Sequence, residues 1–230
     1  TDEASFRTES PAWDILLDLD ALAAAEGEDW VWAGSSVLKE GHDRALLSLS
    51  RGGGDAKVVR EFDLTARRFV ADGFVLPEAK GGAAWLDRDT LLVASAYGDG
   101  MATRAGYPRA TRMLSRGSDP LAAAVLFEVP ETSMAAWASV DRETGVERLV
   151  FIEQIGFFDT AIHLGDRGGP RTRLDLPSDA DVQIDRDYLA VRPRQPWLVG
   201  GVEHATDTVL AMPLSAFLAG RRDFTVLWRP

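Results

Sequence analysis

Residues 48–80 read SLSRGGGDAKVVREFDLTARRFVADGFVLPEAK, and the fold turns on how this stretch is parsed. Ala45–Ser50 is a short apolar-rich run and Lys57–Leu64 is a second. Between them, Arg51-Gly52-Gly53-Gly54-Asp55 supplies glycines for the positive φ of a tight hairpin. Asp63-Leu64-Thr65 opens another turn, and Arg68–Val70 begins a third strand. Short strands joined by hairpins make a meander, the core of a propeller blade.

The same grammar repeats outward, with apolar runs bounded by turn residues and no long helical period. Units start near Asp29 (DWVWAGSSVL), Ala83 (AAWL), Met134 (MAAWASVD) and Asp181 (DVQID), a spacing of ~50 residues that suits the longer propeller repeats. Later strands are expected at Thr90–Ser95, Arg109–Ser115 and Ala123–Val129, then at Glu147–Gln154, Phe157–Leu164 and Arg171–Leu176. The last unit adds Tyr188–Arg192, Thr208–Pro213 and Phe224–Trp228. The expectation is an all-β chain of about four four-stranded antiparallel blades, at 29–80, 81–130, 131–178 and 179–230. A leader over 1–28 precedes them. In it, Trp13–Leu19 reads as an outer strand of a preceding blade, and Asp20–Glu26 as a short helix with Asp20 as N-cap and Gly27 as its stop. Ser215–Gly220 reads as one helical turn. Pro77, Pro108, Pro130, Pro177, Pro193 and Pro196 fall at the ends of runs, where a missing N–H costs no ladder bond.

Several of these stretches resemble the N-terminal propeller of bacterial prolyl oligopeptidase-family serine peptidases (prolyl endopeptidases). They are Ser50-Arg51-Gly52-Gly53, Val59-Arg60-Glu61-Phe62-Asp63-Leu64, Asp72-Gly73-Phe74 and Leu76-Pro77-Glu78-Ala79-Lys80. The likeness continues through Trp30-Val31-Trp32, Trp85, Gly106-Tyr107-Pro108-Arg109, Arg116-Gly117 and Phe217-Leu218-Ala219-Gly220. It runs in order over almost the whole chain. Gly81-Gly82-Ala83-Ala84 departs from the family, which favours small polar residues before the tryptophan. The resemblance implies a slice of a seven-bladed propeller that covers a separate α/β-hydrolase domain. That domain cleaves short peptides after proline with a Ser-His-Asp triad. Within the slice, Trp30, Gly53, Asp55, Arg60, Asp63, Lys80, Trp85 and Arg109 are the motif residues expected to matter structurally.

Composition narrows the partners. The 230 residues are 46% hydrophobic and carry a net charge of −11 with no cysteine. Excess negative charge disfavours nucleic acid and anionic membranes. Without cysteine there is neither a disulfide framework nor a thiolate metal site. No apolar run is long enough for a membrane helix. There is no signal-peptide pattern and no Met at Thr1, which suggests a trimmed or excised chain. The expected setting is soluble, and cytoplasmic rather than periplasmic.

Candidate chemistry is sparse. Gly34-Ser35-Ser36, Gly117-Ser118-Asp119 and Pro177-Ser178-Asp179 lack the second glycine of a nucleophile elbow. His42 and His204 fall in turns and His163 ends an apolar run, without the close spacing of a zinc site. Asp179, Asp181 and Asp185 mimic the start of a calcium loop but lack its sharp-turn glycine and final Glu. Gly52-Gly53-Gly54 leads into a strand and not a helix, so it is a hairpin and no phosphate cradle. No catalytic residue, metal site or cofactor is expected. Trp30, Trp32, Trp85 and Trp137 should fill space between blades. Arg104, Arg109, Arg112 and Arg116 form the one basic cluster. Arg109, Arg112 and Arg116 are the substrate-binding candidates, for a peptide carboxylate, against the plainer reading of an ion-paired face.

Two functions compete on these grounds. The first is the gating, size-selecting part of a prolyl oligopeptidase-type enzyme, inactive by itself, with the α/β-hydrolase domain of the same chain and short peptides as partners. The alternative is a free-standing four-bladed propeller acting as a protein-interaction module. An isolated slice would also expose sheet edges suited to an edge-to-edge homodimer.

Overall fold

The computed structural model describes residues 2–230. Its leader holds one turn of helix, α1 (Glu3–Phe6), and a longer helix, α2 (Leu19–Glu26). The cap of α2 is Asp18 and not Asp20: its carboxylate accepts the Ala21 N–H at 3.0 Å. Gly27 ends the helix in the left-handed region, as its place in the sequence requires. Trp13–Leu19, expected as a strand, pairs with no ladder among the described residues. It runs to the start of α2, leaving Trp13 and Ile15 exposed and pressing Leu17 onto the sheet that follows.

That sheet is the first blade, formed by β1 (Trp30–Val37), β2 (Arg44–Arg51), β3 (Lys57–Asp63), β4 (Arg68–Phe69) and β5 (Val75–Ala79). The hairpin from β2 to β3 turns at Gly52 and Gly53, with φ of 59° and 77°. Its fourth strand is split. β4 pairs with one half of β3 (Phe62↔Phe69) and β5 with the other (Arg60↔Val75). Between them, residues 70–74 fold tightly over Glu61, and a Cβ on Gly73 would sit 2.8 Å from that of Val70 and 2.9 Å from that of Glu61. Only glycine fits there. Pro77 lies inside β5 and not at its end, which the sheet tolerates because β5 is an edge strand with a register shift opposite it.

Three further four-stranded antiparallel sheets follow. The second blade is β6 (Gly81–Asp87), β7 (Thr90–Ser95), β8 (Ala110–Ser115) and β9 (Ala124–Glu128). The third is β10 (Ala135–Asp141), β11 (Arg148–Gln154), β12 (Thr160–Gly165) and β13 (Thr172–Arg173). The fourth is β14 (Asp181–Asp185) and β15 (Tyr188–Arg192), an inserted hairpin β16 (Trp197–Val199) and β17 (Val202–His204), then β18 (Val209–Pro213) and β19 (Thr225–Trp228). The expected helical turn is α3 (Leu214–Leu218). Phe157 and Phe158 are not in a strand: Ile155 and Gly156 N–H both reach the Asp159 carbonyl, closing a turn, and β12 starts only at Thr160.

The sheets stack through their faces. Leu46, Val59, Phe74 and Leu76 of the first blade meet Trp85, Leu91, Val93 and Leu114 of the second. Leu86, Leu92 and Phe127 meet Leu149 and Phe151 of the third. Leu164 and Leu174 meet Leu189, Val191 and Met212 of the fourth. Each such buried side chain contributes about 1.5–3 kcal/mol relative to exposure. The first strands of the first three blades converge, since β1, β6 and β10 together line one hollow of about 240 Å³ that includes Val37, Ala84 and Ser139. This is a radial arrangement. The far face of the fourth blade is open, with Tyr188 and Leu227 exposed.

Of the four expected tryptophans, Trp85 fills the stack between the first two blades, while Trp30 is buried against Glu26 of the leader and Arg51 of its own blade. Trp30 and Trp85 are buried, whereas Trp32 is about half exposed and Trp137 half-buried. Trp85 carries most, packing edge-on to Phe74 at 5.8 Å and donating its indole N–H to the Ser36 carbonyl at 2.9 Å. Trp85→Ala is expected to cost about 3–5 kcal/mol. It should lower the urea midpoint with little change in the denaturant slope.

Candidate functional site

Each strand pair closes on one of two rims. The first-to-second and third-to-fourth connections of every blade form a hairpin rim, and the second-to-third and blade-to-blade connections form a crossover rim. The candidate residues divide between them, and few come together.

His42 is exposed at the hairpin rim with φ of 52°, a left-handed turn position. His204 is not in a turn. It ends β17 and is buried beneath the inserted hairpin, which Trp197-Leu198-Val199-Gly200-Gly201-Val202 signals as two short apolar runs about a Gly-Gly turn. His163 lies in β12, its ring 5.0 Å from Phe127 of the neighbouring blade, and its Nε2 is buried without a partner. The three histidines thus belong to three blades. Of the acidic trio, Asp181 is engaged by Arg194 at 2.8 Å and by Arg192, which together hold its carboxyl below the usual carboxylate range. Among the described residues no cluster of three His, Cys, Asp or Glu is placed to hold a metal ion.

The basic cluster is dispersed. Arg104 pairs with Glu131 at 2.6 Å and Arg109 with Glu128 at 3.1 Å, both toward the crossover rim. Arg112 reaches only the Ala123 carbonyl at 3.4 Å, and its Nε is buried without a partner. Arg116 lies past the end of β8, so it shares no strand face with Arg112. It turns into the first blade, placing its guanidinium 2.8 and 3.2 Å from the two Glu61 carboxylate oxygens and 2.9 Å from Asp89.

The last contact belongs to a series along the hairpin rim. Arg88 joins Asp43 across the first two blades at 2.7 Å. Arg167 of the third blade binds Asp87 of the second and Glu147 of its own. Arg142 reaches back to the Leu86 carbonyl, and Arg148 reaches forward to the Arg186 carbonyl at 2.8 Å. The hairpin rim is therefore stapled by arginines.

The crossover rim is built differently. Lys80 sits 4.9 Å over the Tyr107 ring, Tyr107 packs edge-on to Trp137 at 6.3 Å, and Arg194 lies 5.6 Å over Phe158. Trp137, Phe157, Phe158, Ile162, Val182 and Arg194 border a hollow of about 420 Å³ between the third and fourth blades. Phe157 and Phe158 project beside it, 79% and 66% exposed. Sequence reasoning missed this feature by reading the Phe157-Phe158 pair as strand. The signal was Gly156 before and Asp159 after the pair, both turn residues.

The family model for the prolyl oligopeptidase N-terminal beta-propeller domain matches residues 2–166. The chain belongs to the prolyl oligopeptidase family. An uncharacterized peptidase, y4nA, of Sinorhizobium fredii is 36% identical over 181 residues, covering 76% of this chain and 25% of that protein. An uncharacterized peptidase of Rickettsia prowazekii is 24% identical over 97% of this chain and 33% of its own length. The chain thus spans a quarter to a third of the curated relatives it matches. Among solved structures, a post-proline cleaving enzyme from Rickettsia typhi superposes with a TM-score of 0.89 at 22% identity, over 99% of this chain and 35% of that one. Oligopeptidase B from Leishmania major gives 0.63 at 15% identity, over 88% and 27%. The propeller assignment holds, and in these relatives the propeller is joined to a catalytic domain of the same chain.

The half-buried His163 gives a pH test. Burial, then the neighbouring Arg173, lowers its pKa below the ordinary 6.5, with Glu153 opposing. The unfolded chain therefore takes the proton first as pH falls below 6.5. Stability is expected to drop between pH 6.5 and 5 by more in this chain than in His163→Leu, measured by urea unfolding at each pH. Equal pH slopes would show that the folded state accommodates the imidazolium.

Proposed function

We propose that these blades are the gating portion of the propeller of a serine-type prolyl oligopeptidase that hydrolyses short peptides after proline. The single observation that carries this is the match over nearly the full chain to the propeller of a post-proline cleaving enzyme. The Ser-His-Asp triad belongs, on this reading, to an α/β-hydrolase domain of a longer chain, and these residues hydrolyse nothing alone. On this reading the complete propeller encloses a narrow axis that admits an extended peptide and turns away a folded protein. Selection is then by size, carried by blade packing more than by any one side chain. Arg109 is the best placed of the three arginines to meet a peptide, because it lies toward the crossover rim and is partly exposed. Separated from the rest, the chain would expose sheet edges on its first and last blades, through which two copies pair edge to edge.

A chromogenic Gly-Pro peptide assayed with these 230 residues and with the longer chain side by side is the test. Hydrolysis by the longer chain alone is expected. Hydrolysis by the 230 residues would place a catalytic group among them, with His163 the first to replace. No hydrolysis by either would remove the peptidase reading.

A further inference from the structure

The arginine series along the hairpin rim has a loose end. Three blades carry the same short run at the turn after their first strand: Asp87-Arg88-Asp89, Asp141-Arg142-Glu143 and Asp185-Arg186-Asp187. In each, the leading aspartate is the last paired residue of its strand, opposite Thr90, Arg148 and Tyr188 in turn. The earlier carboxylates of this rim point along the stack. Asp43 of the first blade takes Arg88 of the second at 2.7 Å, and Asp87 of the second takes Arg167 of the third at 2.5 Å. Asp141 of the third takes Arg148 at 2.6 Å, and the same guanidinium spans to the Arg186 carbonyl of the fourth. Asp185 holds the corresponding place in the fourth blade, and the ion pairs of the described residues leave it without an arginine or lysine.

Its neighbours show which way it faces. Asp185 borders a hollow of about 580 Å³ on the far side of the fourth sheet, with Gln183, Tyr188, Thr225 and Leu227. Ile184, Leu189, Val191 and Met212 lie on the opposite side of the same strands and pack toward the third blade. We infer that Asp185 is the socket for an arginine or lysine of the segment that follows Pro230 in the longer chain, folded as one more sheet on this face. The occupant follows from continuity: each earlier joint passes through the aspartate of this turn and an arginine, and the chain spans only 25% and 33% of two peptidases it matches. Its chemistry follows from the face. Tyr188 and Leu227, 58% and 62% exposed, call for apolar cover, and a carboxylate at the edge of that cover loses water and needs a cation in exchange. Only the propeller assignment is needed for this contact, not the peptidase activity.

Hydrogen exchange of the longer chain is the test, with Asp185→Asn set against Glu143→Gln, an exposed carboxylate of the same rim. In Asp185→Asn, amides of β14, β15 and the ~50 residues after Pro230, one blade's length, are expected to exchange about threefold faster or more. Amides of β1–β3 stay unchanged, as do all amides in Glu143→Gln. Neutralising one arginine or lysine within that following segment gives the same pattern, and the two changes together add nothing further. Asp185→Asn indistinguishable from Glu143→Gln would overturn the socket. So would additivity with every basic residue of the following segment, or coupling instead to a basic residue of the first blade or of the peptidase domain. An effect of Asp185→Asn that disappears on tenfold dilution would give the face to a second copy and overturn it as well.

Discussion

A carboxylate taken fully out of water has to be answered by a charge, and Glu61 is such a carboxylate, with a side chain only 1% exposed. Its answer comes mainly from another blade. Arg116, from the second blade, sits across both of its oxygens, Arg44 of its own blade approaches to 3.6 Å, and the Phe74 N–H donates at 2.9 Å. Breaking such a pair by removing one partner is far more damaging than never having had it. The first blade alone thus leaves Glu61 short of its main partner. The same carboxylate residue organises residues 70–74, whose backbone folds over it and splits the outer strand in two. One side chain therefore fixes both a local irregularity and the angle at which the next blade arrives.

The later joints repeat the principle with less burial. Arg167 and Arg142 tie the third blade to the second, and Arg148 ties it to the fourth. Sheet faces packed on leucine, valine and phenylalanine supply the larger energy, but such surfaces slide more readily than directional ion pairs do. The arginines set register at one rim. That leaves the other rim free to carry long loops, aromatic side chains and a hollow without endangering the stack, the division of labour that a rigid scaffold offers its functional loops.

Much of this was legible in the sequence because propeller signals are local. Apolar runs of strand length, glycines at Gly52 and Gly53, and tryptophans at the start of successive units need no tertiary knowledge. What was illegible depends on partners distant in the chain. Trp13–Leu19 has the composition of a strand, but a strand exists only beside another, and the helix cap at Asp18 claims its last residues. Phe157 and Phe158 continue an apolar run, and only the hydrogen bonds from Gln154 and around Asp159 turn them out of the sheet. Arg116 belonged to a basic cluster in sequence and became a staple in space, because Glu61 lies 55 positions away. The split outer strand, closed by Glu61 against residues 70–74, escaped for the same reason.

The most direct measurement is a double-mutant cycle on the first joint: Glu61→Gln, Arg116→Gln and the pair, each unfolded in urea. If the buried ion pair couples the first two blades, the two changes will be strongly non-additive, with an interaction of about 1–3 kcal/mol, and the double variant will be little worse than either single one. Additive losses, with coupling near zero, would mean that apolar packing alone holds the blades in place and that the arginine staples are decoration on a stack already fixed.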